Sequence, residues 1–135
     1  MSFKVLESVL RPLAYWYNQE NIEEVAVNRS GQVWLRLRGK RAYPWVMYKD
    51  EKLTKEYLTD LLYIIANTYE LPFDPVQGTP VVYATIPGDH RFSAVSGRNV
   101  MYDQDDLTGG VALTIRVHSD DVAFGLQDYG LKQGE

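Results

Sequence analysis

The stretch from Glu23 to Arg38 constrains the fold most tightly, because two alternating runs flank a polar tetrad. Side chains of an extended strand point to opposite faces at successive positions, so Val25 and Val27 share one face. Beyond Asn28-Arg29-Ser30-Gly31 the alternation resumes, with Val33, Leu35 and Leu37 inward and Gln32, Trp34, Arg36 and Arg38 outward. Asn and Gly accept positive φ and Ser bonds its own backbone, so the tetrad predicts a hairpin turn. Two strands cannot shield an apolar face from water by themselves. The cover must come from the flanking segments.

Both flanks have helical periodicity. Leu6, Leu10, Leu13 and Tyr17 are spaced four, three and four residues apart, with Val9 and Trp16 beside them, as on an amphipathic helix over residues 3 to 18. Pro12 predicts a kink there, or a fresh start with the proline in the first turn. Asn18 to Asn21 ends the segment. After the hairpin, Gly39-Lys40-Arg41 turns the chain, and Tyr43-Pro44-Trp45-Val46-Met47-Tyr48 reads as an edge or irregular strand because of its proline. The run Lys49 to Lys52 is charged and reads as exposed. Thr54 stands where an N-cap is wanted. Leu58, Leu61, Leu62, Ile65 and Tyr69 then form a strong stripe that Pro72 closes, and this second helix is expected to be the main cover of the sheet.

Pro80 to Ile86, the turn Pro87-Gly88-Asp89 and Arg91 to Val95 predict a second hairpin. A loop follows from Ser96 to Gly110, then a strand from Val111 to Val117 whose odd positions are all apolar. Residues 118 to 121 are polar, and Val122 to Leu131 has little pattern. The expected fold class is α+β: a mainly antiparallel sheet with two main helices packed on it, within a single domain.

Several kinds of chemistry find no support. A net charge of −4 supplies no basic field for a phosphate backbone, so nucleic acid is not an expected direct partner. The chain has no cysteine for thiolate chemistry or disulfides, which fits the cytosol. No run of about 18 apolar residues and no signal-peptide pattern is present, so the expectation is neither membrane spanning nor export. Asn28-Arg29-Ser30 matches the glycosylation triplet but reads as the hairpin turn.

His90 and His118 have no second ligand at metal spacing and read as exposed loop-end histidines. Asp103, Asp105 and Asp106 resemble the opening of a calcium loop, yet Thr108 stands where its glycine belongs, and the segment reads as a solvated acidic loop. Gly109-Gly110 lacks the Lys-Ser or Lys-Thr of a phosphate loop. Ser93 and Ser96 have no assignable base. Tyr15-Trp16-Tyr17 and Tyr43-Pro44-Trp45 read as core or core rim, and Arg29, Arg36 and Arg38 as a solvated hairpin face. The residues alone describe a binding or assembly domain, not a catalyst.

Leu10-Arg11-Pro12-Leu13 followed by Asn21-Ile22-Glu23-Glu24-Val25-Ala26-Val27-Asn28-Arg29-Ser30-Gly31-Gln32-Val33-Trp34 resembles the N-terminal domain of the VirB-type traffic ATPases of type IV secretion, in the secretion and conjugation hexameric ATPase superfamily. Leu53-Thr54, the Pro80 to Pro87 strand before its Gly turn, Arg91, and Leu113-Thr114-Ile115-Arg116 follow in family order. Ser30 and Gln32 depart from the family's proline and glutamate. Val117-His118-Ser119 departs from its usual ending, and the loop between Arg91 and Arg116 is a few residues longer.

The resemblance implies a ring-forming, nucleotide-sensing N-terminal domain over residues 1–120, the start of an interdomain linker over 121–135, and a C-terminal motor domain absent from this chain. It further implies a cytoplasmic protein, peripheral to the inner membrane through its partners. A homo-oligomer, a hexamer in the complete enzyme, would work beside other secretion-machinery proteins. ATP with Mg would bind only in the complete enzyme; no cofactor and no catalytic or metal-ligating residue are expected in this chain, which is not an enzyme on its own. The family's two phosphate-reaching arginines fall on Arg91 and Arg116. Strand alternation agrees, since both project away from the face that carries Phe92, Ala94, Leu113 and Ile115. Two guanidinium forks on one face suit a polyphosphate. The alternative is a stand-alone domain of similar fold that binds a partner protein or small ligand.

Overall fold

Leu6, Leu10, Leu13 and Tyr17 are the buried positions of α1 (Phe3–Tyr17). The computed structural model describes residues 3–39, 44–75, 78–97 and 110–119. Helix α1 runs through Pro12 without a fresh start. The donor that Pro12 lacks would have met the carbonyl of Ser8, an exposed residue, so water can take up the freed acceptor. The buried stripe continues on both sides of the proline and holds the helix together. Asn21, at a left-handed φ of 63°, then turns the chain into the sheet.

The predicted hairpin is present as β1 (Ile22–Val27) and β2 (Gln32–Leu37), antiparallel, with Val25 opposite Leu35. Gly31 sits in its turn at φ 77°. The Gly31 amide donates to the Leu53 carbonyl at 2.8 Å, and its carbonyl accepts from Asp50 at 2.9 Å, so the turn is tied to the loop before the second helix. Strand β3 (Trp45–Lys49) pairs with β2 and forms one edge of the sheet, where its preceding proline is tolerated.

Helix α2 (Lys55–Thr68) begins at the predicted cap, where the Thr54 hydroxyl accepts the Tyr57 amide at 3.0 Å. It buries Leu58, Leu61, Leu62, Ile65 and Ala66. The second hairpin is β4 (Val81–Ile86) and β5 (His90–Gly97), and the final strand is β6 (Gly110–Arg116). Strand β5 thus takes in Ser96, assigned to the loop by the sequence pattern. The remainder of that loop with its aspartates, residues 40 to 43 and the segment after Ser119 fall outside the described residues.

The six strands are ordered β3-β2-β1-β6-β5-β4, and every neighbouring pair is antiparallel. Two three-stranded meanders therefore join through their first and last strands, β1 and β6. Both helices pack on one face, α1 over β1 and α2 over β4 and β6. Both helices share the cover, and α2 reaches two strands where α1 reaches one, in line with the expectation that α2 is the main cover. The helices are pinned together where the Tyr57 hydroxyl donates to the Val9 carbonyl. Burial pushes that phenol's pKa up. Trp16 Nε1 donates to Asp50 at 2.7 Å, which anchors α1 to the loop before α2 and makes Asp50 half-buried rather than exposed. Of the aromatic triplet, Tyr17 is core and Trp16 is rim, but Tyr15 is 63% exposed, since helical rotation turns it away from the sheet.

Leu61 has no exposed surface and lies mid-stripe on α2. Leu61→Ala is expected to cost about 2–5 kcal/mol in urea unfolding. A loss below about 1 kcal/mol would show that the α2 contact with the sheet is peripheral.

Candidate functional site: an arginine row on the open sheet face

Among the described residues no helix covers the other sheet face, hereafter the open face, and strand register arranges its side chains in rows. One row runs Thr85, Arg91, Arg116, Glu24, Arg36, Trp45 from β4 to β3, each a cross-strand partner of the next. Arg91 and Arg116 are thus direct neighbours, both exposed. The structure brings the two sequence-derived site residues together, with backbones about 4.5–5.5 Å apart as such partners are.

Among the described residues neither arginine makes an ion pair; the single one is Arg36 Nε to Glu23 Oε2 at 3.2 Å. Like charges directly opposite one another destabilise a sheet. Glu24, opposite Arg116 on the other side, offsets part of that repulsion, while Arg91 has only Thr85 there. Two donor-only forks side by side form a receptor for a multivalent oxyanion. Such a ligand would convert their repulsion into shared attraction.

Arg36 keeps 44% of its side chain exposed, as a solvated hairpin face requires, while Arg38 is half-buried. Arg36 bonds Glu23 and lies 5.9 Å from the Trp45 ring centre. Arg38 donates from Nη2 to the Ile22 carbonyl at 3.1 Å, lacing the first hairpin. Arg29 is exposed in the turn. The next row of the open face carries Tyr83, Ser93, Thr114, Ala26, Trp34 and Met47. Tyr83, 66% exposed, borders a shallow groove of about 240 Å³ shared with Val95, Ala112 and Asn28.

Other candidates resolve differently. No cluster of His, Cys, Asp or Glu suited to a metal occurs among the described residues. Ser93 faces the groove and Ser96 is buried. His90 is not an exposed loop-end residue: it is 8% exposed and opens β5 on the core face, against the Tyr17 ring at 4.7 Å. Its Nδ1 accepts the His118 backbone amide at 2.9 Å. Burial first, then the neighbouring His118, pushes its pKa below the ordinary value, and Asp89 opposes them. The alternation of His90, Phe92 and Ala94 carried this signal, which is lost when the strand is started at Arg91. His118 itself is exposed, as expected.

No protein-family model matches the chain, and no curated protein sequence matches it. Among solved structures it is similar to the VirB11 ATPase of the Brucella suis type IV secretion system, in complex with sulphate. The TM-score is 0.68 and the identity 26%, over 95% of this chain and 35% of that one. The chain therefore spans about a third of the length of the ATPase it resembles.

Arg91→Gln is expected to leave the stability unchanged or raise it by up to about 1 kcal/mol, because it removes only a like-charge contact. Urea unfolding at low salt and at 1 M salt checks this: any gain must shrink as salt screens the pair. A clear loss at both would mean that Arg91 is held by a favourable contact.

Proposed function

We propose that this chain is the N-terminal assembly domain of a hexameric ATPase that powers type IV secretion or conjugation, and that Arg91 and Arg116 contribute to a nucleotide-phosphate site completed by a motor domain. The observation that carries the reading is the adjacency of these two arginines, neither in an ion pair among the described residues, on one face of a sheet similar to that of a secretion ATPase. Their donor sets fit phosphate oxygens. They do not fit a metal, and no acidic cluster suited to one occurs among the described residues.

In this reading, the chain's residues bind and orient; they perform no bond-making step. Each guanidinium presents a planar fork that two oxygens of one phosphoryl group can share, fixing its orientation as well as its position. The rigid sheet holds both forks in register, so little ordering is needed when the anion arrives. Glu24 sits on the far side of Arg116, where it limits the approach of anions along the row. Without a phosphate loop, the chain itself is expected to turn over no ATP.

The chain should bind inorganic tripolyphosphate weakly and with strong salt dependence, since the site is open to solvent. Arg116→Ala is expected to weaken binding by about tenfold, the loss of roughly 1.5 kcal/mol of charge-assisted hydrogen bonding. Arg116→Lys should recover only part, because an ammonium lacks the planar fork. Calorimetric titration of the three proteins at one ionic strength reads both effects. Equal affinity in all three would overturn the assignment.

A further inference from the structure

Arg91 is the second residue of β5 and Arg116 the last of β6, so the arginine pair stands at the open end of its ladder. Strand ends fray most readily, and the repulsion between the two guanidiniums favours opening there. Past Arg116 the Val117 amide ties β6 to β1 through the Glu23 carbonyl at 2.9 Å, and the β4 hairpin holds the start of β5, so what is left to close is the seam between β5 and β6. The group one residue before Arg91 is His90, on the opposite face, and its Nδ1 reaches the amide two residues past Arg116.

We propose that His90 is the positioning residue of the arginine pair: its Nδ1, by accepting the His118 amide, keeps the β5–β6 end closed and both guanidiniums side by side. The inference rests on the reading of Arg91 and Arg116 as an anion site and adds its control. A backbone amide can only donate, so Nδ1 carries no proton and the ring is neutral with its hydrogen on Nε2. Protonation would set a second N–H against the first, and the clasp could not persist.

The surroundings are built for this ring. Gly88, at φ 94°, lies against it: a Cβ there would come within 2.6 Å of Nε2, so the turn can place the imidazole only because residue 88 has no side chain. Tyr17 packs on the ring from α1, and His90 opens onto a cleft of about 310 Å³ that it shares with Glu7, Asn18 and Pro87. The titratable groups facing it are Tyr17 and Glu7 from α1, Asp89 from the turn and His118 from the end of β6. Burial and His118 favour the neutral form and outweigh Asp89. With the folded-state pKa below the unfolded 6.5, the unfolded chain binds more protons. The contribution to stability is complete above pH 6.5 and is lost as pH falls through the folded value.

Three proteins test the proposal: wild type, His90→Asn, whose amide oxygen can accept the same N–H but does not titrate, and His90→Phe, which keeps a ring against Tyr17 but accepts nothing. Protection of the His118 amide from hydrogen exchange and affinity for inorganic tripolyphosphate are read at fixed ionic strength from pH 7.5 down to the pH at which the ring's own proton resonances show wild-type His90 to be charged. At pH 7.5 wild type and His90→Asn should protect the amide and bind alike, while His90→Phe binds several-fold more weakly. Once the ring is charged wild type should fall toward His90→Phe, whereas His90→Asn changes only by the probe's own protonation. Equal binding by wild type and His90→Phe at pH 7.5, or parallel pH profiles in wild type and His90→Asn, overturns the proposal. If no protein binds tripolyphosphate at pH 7.5, the anion reading itself has failed. Positioning is then decided by the cross-strand amide–amide contact between Arg91 and Arg116 in nuclear Overhauser spectra. Its loss in wild type alone once His90 is charged supports the clasp, and its survival in both wild type and His90→Asn overturns it.

Discussion

The structure depends on burying one face of a six-stranded sheet and only one. Helices α1 and α2 remove Phe92, Leu113, Ile115, Val25 and Val33 from water, each side chain worth roughly 1.5–3 kcal/mol when fully buried. Because side chains alternate along a strand, that burial also dictates everything on the opposite face. A slip of one residue in β6 would bury Arg116 and expose Ile115, at a cost no surface contact could offset. The core thus sets the register, and the register lines up Thr85, Arg91, Arg116, Glu24, Arg36 and Trp45. The candidate site is held in place by residues that never touch it.

Where apolar spacing was strong, the chain could be read directly. The Leu58–Leu61–Ile65 stripe, the cap at Thr54 and the hairpin across Asn28 to Gly31 are local signals, and each is present. Which of the two outcomes Pro12 would have, a helix continuing through it or a fresh start, was not legible, because proline's local cost is weighed against burial on both sides of it, a tertiary effect. Nor was the division of the sheet between the two helices, α1 over β1 and α2 over β4 and β6. That depends on which strands meet, and the pairing of β1 with β6 leaves no trace in local pattern.

The site shows the same division. That Arg91 and Arg116 face away from the core follows from alternation, but that they are neighbours follows only from register. Arg36 is solvated charge, as alternation implies, but the partners that it and Arg38 find, Glu23 and the Ile22 carbonyl, become adjacent only once the hairpin closes. His90 was misjudged by a single position at a strand boundary, where sequence patterns are weakest. Its partner is a backbone amide, and no side-chain motif announces such a partner.

The central seam has a further consequence, for the order of events during synthesis. Val25 and Ile115 are paired although they lie ninety positions apart (25 to 115), so the middle of the sheet closes last. Contacts this distant must wait for loop-closure entropy to be met, which slows folding. Until β6 leaves the ribosome, β1 presents an unpaired edge carrying Val25, Ala26 and Val27. Glu23 and Glu24 stand at the start of that edge, and charge of this kind discourages pairing with another nascent chain. The two glutamates therefore act before the domain exists, as guards of an edge that the finished sheet conceals.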